Sequence, residues 1–173
     1  MEIQVIEYID VAKRAEELGF NVPTGLVILP SNFDTATSPD ELIHESTTPT
    51  IRSLLRQSGV VETRLEKEGT KIPQSAKKSA EWVSPIIFVS QAILTDAVLP
   101  LTINIISSYL YDLFRGRLGK AQVAIRFASE RTEETKSGEE KKSLLVTFKG
   151  TPQEWQAFDV NKLKQLLEGK ISK

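Results

Sequence analysis

The sequence predicts an α+β protein: a small, mostly antiparallel sheet packed against two central apolar helices, with a C-terminal β-hairpin followed by a helix. Three observations predict it. Residues 82–114 form a long apolar run whose only charges are Asp96 and Asp112. Around residues 122–127 and 144–149, apolar and polar side chains alternate with the period of a half-buried strand. Behind Asp159, the residues Val160, Leu163, Leu166 and Leu167 recur at helical spacing.

Each element follows in order. Val5, Ile9, Ala12 and Ala15 predict a helix over residues 5–18, stopped by Gly19. The run 25–29, GLVIL before Pro30, is short and apolar, which predicts a buried strand. Residues 31–50 are rich in Ser, Thr, Asp and Pro and read as an irregular loop. Within it, Ser38-Pro39-Asp40-Glu41 has the form of a capped helix start, Ser38 capping and Pro39 at the first helical position. A helix from Thr48-Pro49 to about Gln57 buries Ile51, Leu54 and Leu55 and stops at Gly59. Val61, Thr63 and Leu65 alternate with charges and predict a half-exposed strand. Residues 73–80 read as a polar connector or a short helix.

Ser84-Pro85 reads as a second capped helix start. Pro100 then divides the apolar run, because its ring clashes with a helical carbonyl four residues back. Helical pieces are expected over residues 85–97 and 100–115, with Asp96 capping the second. Two strands follow around Val123–Phe127 and Leu144–Phe148. The intervening residues 129–142 are charged and nearly devoid of apolar side chains, which predicts a mobile hairpin loop. Trp155 and Phe158 suit either a short strand or a first helical turn.

The chain has 173 residues, 40% hydrophobic and 26% charged, the make-up of an ordinary globular protein. One domain spanning residues 1–173 is expected, with sub-modules 1–80 and 81–173. The absence of cysteine removes thiol catalysis, disulfides and Cys-based metal sites, and fits a reducing cytoplasm. A formal net charge of −1 leaves no electrostatic footprint for nucleic acid. The acidic, amphipathic residues 1–19 lack the apolar core of a signal peptide. The apolar run is not expected to cross a membrane. Its uncharged stretches, 82–95 and 97–111, fall short of the ~20 residues a span needs.

Chemistry-bearing residues are few. His44 is the only histidine, set in DELIHES beside Asp40, Glu41 and Glu45. It reads either as a general base or as a structural residue, since no second histidine or cysteine completes a metal pattern. Asp34 follows the predicted 25–29 strand, where a hydrolase would place an acid; an Asx turn is the competing reading. Neither a G-x-S-x-G elbow nor a phosphate loop is present, and no cofactor or metal is expected. Arg52 and Arg56 stand one helical turn apart, with Arg64 on the next segment. Such a set suits a phosphate or carboxylate, or ion pairs with Glu45, Glu62 or Glu66. Arg115, Arg117 and Lys120 end the apolar helix and complement its dipole.

From residue 99 to 169 the layout is apolar helix, basic helix end (FRGR, 114–117), two strands and a Leu-rich helix (VNKLKQLLEG, 160–169). This layout resembles the effector-associated constant component modules of bacterial conflict systems. The resemblance covers less than half the chain, and the charged hairpin departs from it. It implies an adaptor without catalytic activity.

The expectation is therefore a non-enzymatic interaction component of a larger bacterial assembly, binding an unknown protein partner or itself. Its expected interface is the apolar helix, through Ile103, Ile106, Tyr109, Leu110, Leu113 and Phe114. Two alternatives stand beside it. One is a metal-dependent or acid–base hydrolase using Asp34 and His44. The other is a phosphate or nucleic-acid binder using Arg52, Arg56 and Arg64.

Overall fold

A computed structural model describes residues 1–77, 79–94 and 97–171. It contains one five-stranded sheet. In chain order the elements are β1 (Glu2–Tyr8), α1 (Val11–Glu17), β2 (Leu26–Leu29), α2 (Thr48–Gln57), β3 (Trp82–Val89), α3 (Val98–Leu113), β4 (Val123–Thr135), β5 (Gly138–Gly150), α4 (Pro152–Ala157) and α5 (Val160–Leu167). The strands lie in the order β1-β5-β4-β3-β2. β3 and β4 run parallel, joined through α3; the other three pairings are antiparallel. The fold is thus α+β, with a mostly antiparallel sheet and a C-terminal hairpin followed by helices.

Both faces of the sheet are covered. On one, α2, α3, α4 and α5 pack over Ile28, Ile87, Val89, Val123, Ile125, Phe127, Val146 and Phe148. On the other, α1 and irregular segments bring Val11, Ala15, Phe33, Leu42, Leu65 and Ile72 onto Val27, Leu29, Phe88 and Ala128. Period-two alternation along β4 therefore separates two covered faces, the second carrying Ala124 and Ala128 on either side of Arg126.

Several local expectations change. The N-terminal segment is a strand followed by a helix, where one helix over 5–18 is the expectation. Ile3 and Val5 alternate with Glu2 and Gln4, and β1 pairs with β5 from Glu2↔Lys149 to Tyr8↔Ser143. Asp10 starts the true helix, its carboxylate accepting from the Lys13 amide at 3.1 Å. Ser38 makes no side-chain cap on the single 3-10 turn Pro39–Glu41. The Glu41 carboxylate instead accepts from the Thr37 amide and hydroxyl, each at 2.9 Å. Residues 61–65 form no strand, and Val61 is 82% exposed.

The expected helix over 85–97 is β3 followed by the 3-10 turn Gln91–Ile93. Among the described residues only one of the two expected central helices, α3, is present. Trp82, Val83 and Ile86–Val89 fill the slot between β2 and β4, where a strand buried on both faces reads as a continuous apolar run. Pro85 is tolerated because it sits where the register with β4 shifts, between Val83 and Ile86. Pro100 lies in the first turn of α3, where its missing N–H breaks no intrahelical bond. The expected cap by Asp96 lies outside the described residues.

The stretch expected as a mobile loop is a paired ladder. β4 and β5 stay in register out to Thr135↔Gly138, closing through Lys136-Ser137. Charge complementarity replaces apolar burial here: Lys142 bonds Glu133 at 3.1 Å, and Lys141 lies 3.8 Å from Glu130. The predicted cap of the last helix is present, Asp159 accepting from the Asn161 amide at 2.8 Å. Among the described residues, no helix is long and apolar enough to cross a membrane.

Candidate functional site

α2 turns Ile51 and Leu55 into the core, which leaves Arg52 and Arg56 one turn apart on its outer side. Gly59 takes φ 76°, a left-handed conformation that ends the helix and reverses the chain. Val60 tucks back, its amide bonding the Leu55 carbonyl at 2.9 Å. The chain then runs beside β2, the Thr63 amide donating to the Leu26 carbonyl at 2.8 Å, and Leu65 anchors it in the second core cluster. This return sets Glu62, Arg64 and Glu66 against α2. The result is a cavity of about 380 Å³ lined by Arg52, Arg56, Gly59, Val60, Val61, Glu62 and Arg64.

The three candidate arginines thus meet, but with unequal freedom. Arg52 is nearly buried and committed, its Nε donating to Glu62 at 2.8 Å and its Nη2 to Glu66 at 3.3 Å. Arg56 and Arg64 are exposed and have no ion pair among the described residues. Glu45, another anticipated partner, is taken by Arg126 at 3.1 Å. The cavity therefore presents two uncommitted cations over a fixed third.

His44 is 1% exposed and lies behind this site. Its backbone bonds Pro73 and Ser75, each at 2.8 Å. Its Nε2 donates to Glu66 Oε1 at 2.7 Å, the oxygen that also accepts from Arg52. His44 Nδ1 and Glu66 Oε2 are buried without hydrogen-bond partners among the described residues. A polar chain thus runs from His44 through Glu66 and Arg52 to Glu62 at the cavity wall. Burial pushes the Glu66 carboxyl up, but the His44 hydrogen bond, its own backbone amide and the Arg52 charge outweigh this and hold it at about 2.

A folded-state pKa below the ordinary 4.5 means that Glu66 stabilises the fold fully above pH 4.5, and that this contribution fades as pH falls toward 2. Urea unfolding between pH 7 and pH 2.5 is expected to show this loss. Glu66→Gln is expected to be less stable at pH 7 and to flatten the acid limb. An unchanged acid limb in the variant would refute the assignment.

The hydrolase pair is not assembled. Asp34 is exposed in the turn after β2, whereas His44 is buried, and no hydrogen bond or ion pair joins them. The side chain that organises that loop is Asn32, which accepts from the Ile43 amide at 2.9 Å and donates to the Glu41 carbonyl at 2.8 Å. Among the described residues no group of three His, Cys, Asp or Glu side chains is placed to hold a metal ion.

The expected α3 interface also changes. Ile103, Ile106 and Leu110 belong to this chain's own core, so they are not available to a partner. Tyr109 and Phe114 are half-buried against the same core, Tyr109 lying 6.0 Å from the Trp82 ring; only Leu113 stands exposed. Asn104, Ser108 and Asp112 make the outer stripe polar, which counting apolar residues along the run did not register. At the helix end Arg115 bonds Asp112 at 2.9 Å, and the Arg117 guanidinium lies 5.6 Å from the centre of the Phe114 ring.

Comparison of the chain with protein-family models, with curated proteins and with solved structures finds no match.

Proposed function

We propose that this chain is a non-catalytic binding component that recognises an anionic group, a phosphate or a carboxylate, through Arg56 and Arg64. Arg52 holds the geometry of the site. One observation carries the reading: three arginines from a helix and its returning segment line a single cavity, and two of them have no anionic partner among the described residues. An exposed guanidinium can fork onto phosphate or carboxylate oxygens at no cost in broken ion pairs. The buried Glu62 and Glu66 pin Arg52, so the cavity wall is already formed before ligand arrives. The likeness in layout to adaptor modules leans the same way, toward a component of a larger assembly, and the lack of cysteine suits a cytoplasmic setting.

Amide chemical shifts of residues 52–64, followed during titration with inorganic phosphate and with acetate, test the reading. Saturable shifts are expected, weakening with added salt. The double variant Arg56→Ala, Arg64→Ala is expected to lose roughly thirtyfold in affinity, the equivalent of one or two charge-assisted hydrogen bonds. Wild-type spectra indifferent to both anions would overturn it.

A further inference from the structure

We infer that the anion is the head of a single-chain amphiphile, a free long-chain carboxylate whose alkyl tail lies in the apolar groove adjoining the arginine cavity. The inference rests on the anion reading above and names its ligand class. The groove has a volume of about 570 Å³, and its walls include Leu26, Val60, Val61, Ile93, Val98 and Leu101. Among the described residues no charged side chain lines it. It shares Gly59, Val60 and Val61 with the arginine cavity, so the two are halves of one depression around the same turn. Both volumes fall within the ~300–1,000 Å³ of small-molecule sites.

Two of the chain's exposed large apolar side chains, Val61 at 82% and Leu101 at 43%, belong to this groove. The charge pattern matches one kind of occupant. Arg56 and Arg64 stand at one end with no ion pair among the described residues, and the described walls at the other end are apolar but for Thr63. A peptide added to β2 beside the groove is disfavoured, because the Leu26 carbonyl that would receive it already has a donor. Thr63 N–H bonds the Leu26 carbonyl at 2.8 Å, and Ser90 N–H bonds the Gly25 carbonyl at 2.9 Å. An alkyl chain asks for no backbone partner.

Calorimetric titration of the full chain with butanoate, hexanoate, octanoate and octanol, each below its aggregation limit, tests the inference. Affinity is expected to rise about tenfold for each added pair of methylenes. Octanoate is expected to bind at least tenfold more tightly than octanol. Leu101→Gln, at a half-exposed position of α3 that lines the groove but not the arginine cavity, is expected to flatten the chain-length dependence while phosphate binding persists. Circular dichroism checks that this variant is folded. If phosphate binds but octanoate binds no better than butanoate, the tail groove is wrong and the anion site stands. If neither phosphate nor any carboxylate binds, both readings fall. Octanol matching octanoate would uncouple groove from arginines and overturn the inference. So would binding to anionic phosphatidylglycerol vesicles with none to monomeric octanoate, which would mark a membrane-contact surface.

Discussion

Replacing Arg126 with Leu is expected to lower stability by about 3 kcal/mol, read as a shift of the urea midpoint at pH 7. Arg126 stands mid-sheet on β4, on the small-residue face beside Ala124 and Ala128. Across from it, the Ser84-Pro85 step breaks the ladder, because proline has no N–H and the register shifts there. Arg126 repairs that break three times over. Its backbone amide donates to Ser84 Oγ at 2.9 Å. Its Nε and Nη2 donate to the Ser84 carbonyl at 3.1 and 2.7 Å. The same Nη2 reaches Glu45 at 3.1 Å. Burial lowers the guanidinium pKa and Glu45 opposes the shift, yet the group stays charged at neutral pH. Leucine would leave a carbonyl and a carboxylate unpaired at the centre of the fold, whose cost exceeds the apolar area it gains. Arg126 and Glu45 keep 18% and 22% side-chain exposure, which sets the effect at the low end of the range for buried pairs. Arg126→Lys is expected to recover only part of the loss, since one ammonium cannot fork onto both acceptors. A leucine variant within 1 kcal/mol of wild type would show that the bulge needs no such brace.

What the sequence made legible depended on how local the deciding interactions were. The β4–β5 pair and α5 were readable because Val123, Ile125 and Phe127, and then Leu163 and Leu166, report a buried face by period alone. The β3 strand was not, since Ser84-Pro85 has the same form at a helix start and at a bulge; the choice is made by Arg126, 42 residues away. The N-terminal strand was missed for a related reason. Ile9 continues a helical spacing from Val5, and only pairing with β5 and the Asp10 cap separate the two elements. At the site, the 3.6-residue spacing placed Arg52 and Arg56 correctly, and Glu62 and Glu66 were foreseeable partners. The bond between His44 and Glu66 was not, because it closes across 22 residues of irregular chain. The groove was illegible for the same cause, its walls coming from the start of β2, the Gly59 turn and the first turns of α3.

Trp155→Ala is expected to be the most damaging single truncation, costing about 4 kcal/mol in urea unfolding. The residue owes its place to local sequence. Thr151 and Glu154 form a reciprocal cap, the Glu154 amide donating to Thr151 Oγ1 at 3.2 Å and the Glu154 carboxylate accepting from the Thr151 amide at 2.8 Å. That cap sets α4 at an angle that drives Trp155 into the sheet, where it is 2% exposed. It lies nearly parallel to Phe127 at 6.4 Å and to Phe158 at 6.1 Å, and meets Phe148 edge-on at 5.1 Å. Alanine would empty a space walled by aromatic rings too rigid to collapse into it, so the cavity cost adds to the lost transfer energy. The indole also carries a burden, because its Nε1 is buried with no hydrogen-bond partner among the described residues. Trp155→Phe removes that unsatisfied donor, which offsets part of the lost volume. It is therefore expected to cost less than about 1.5 kcal/mol. The pair of variants separates packing from polarity. If phenylalanine proved as damaging as alanine, the indole N–H would have to contribute a bond, and the aromatic cluster would not be what holds α4 to the sheet.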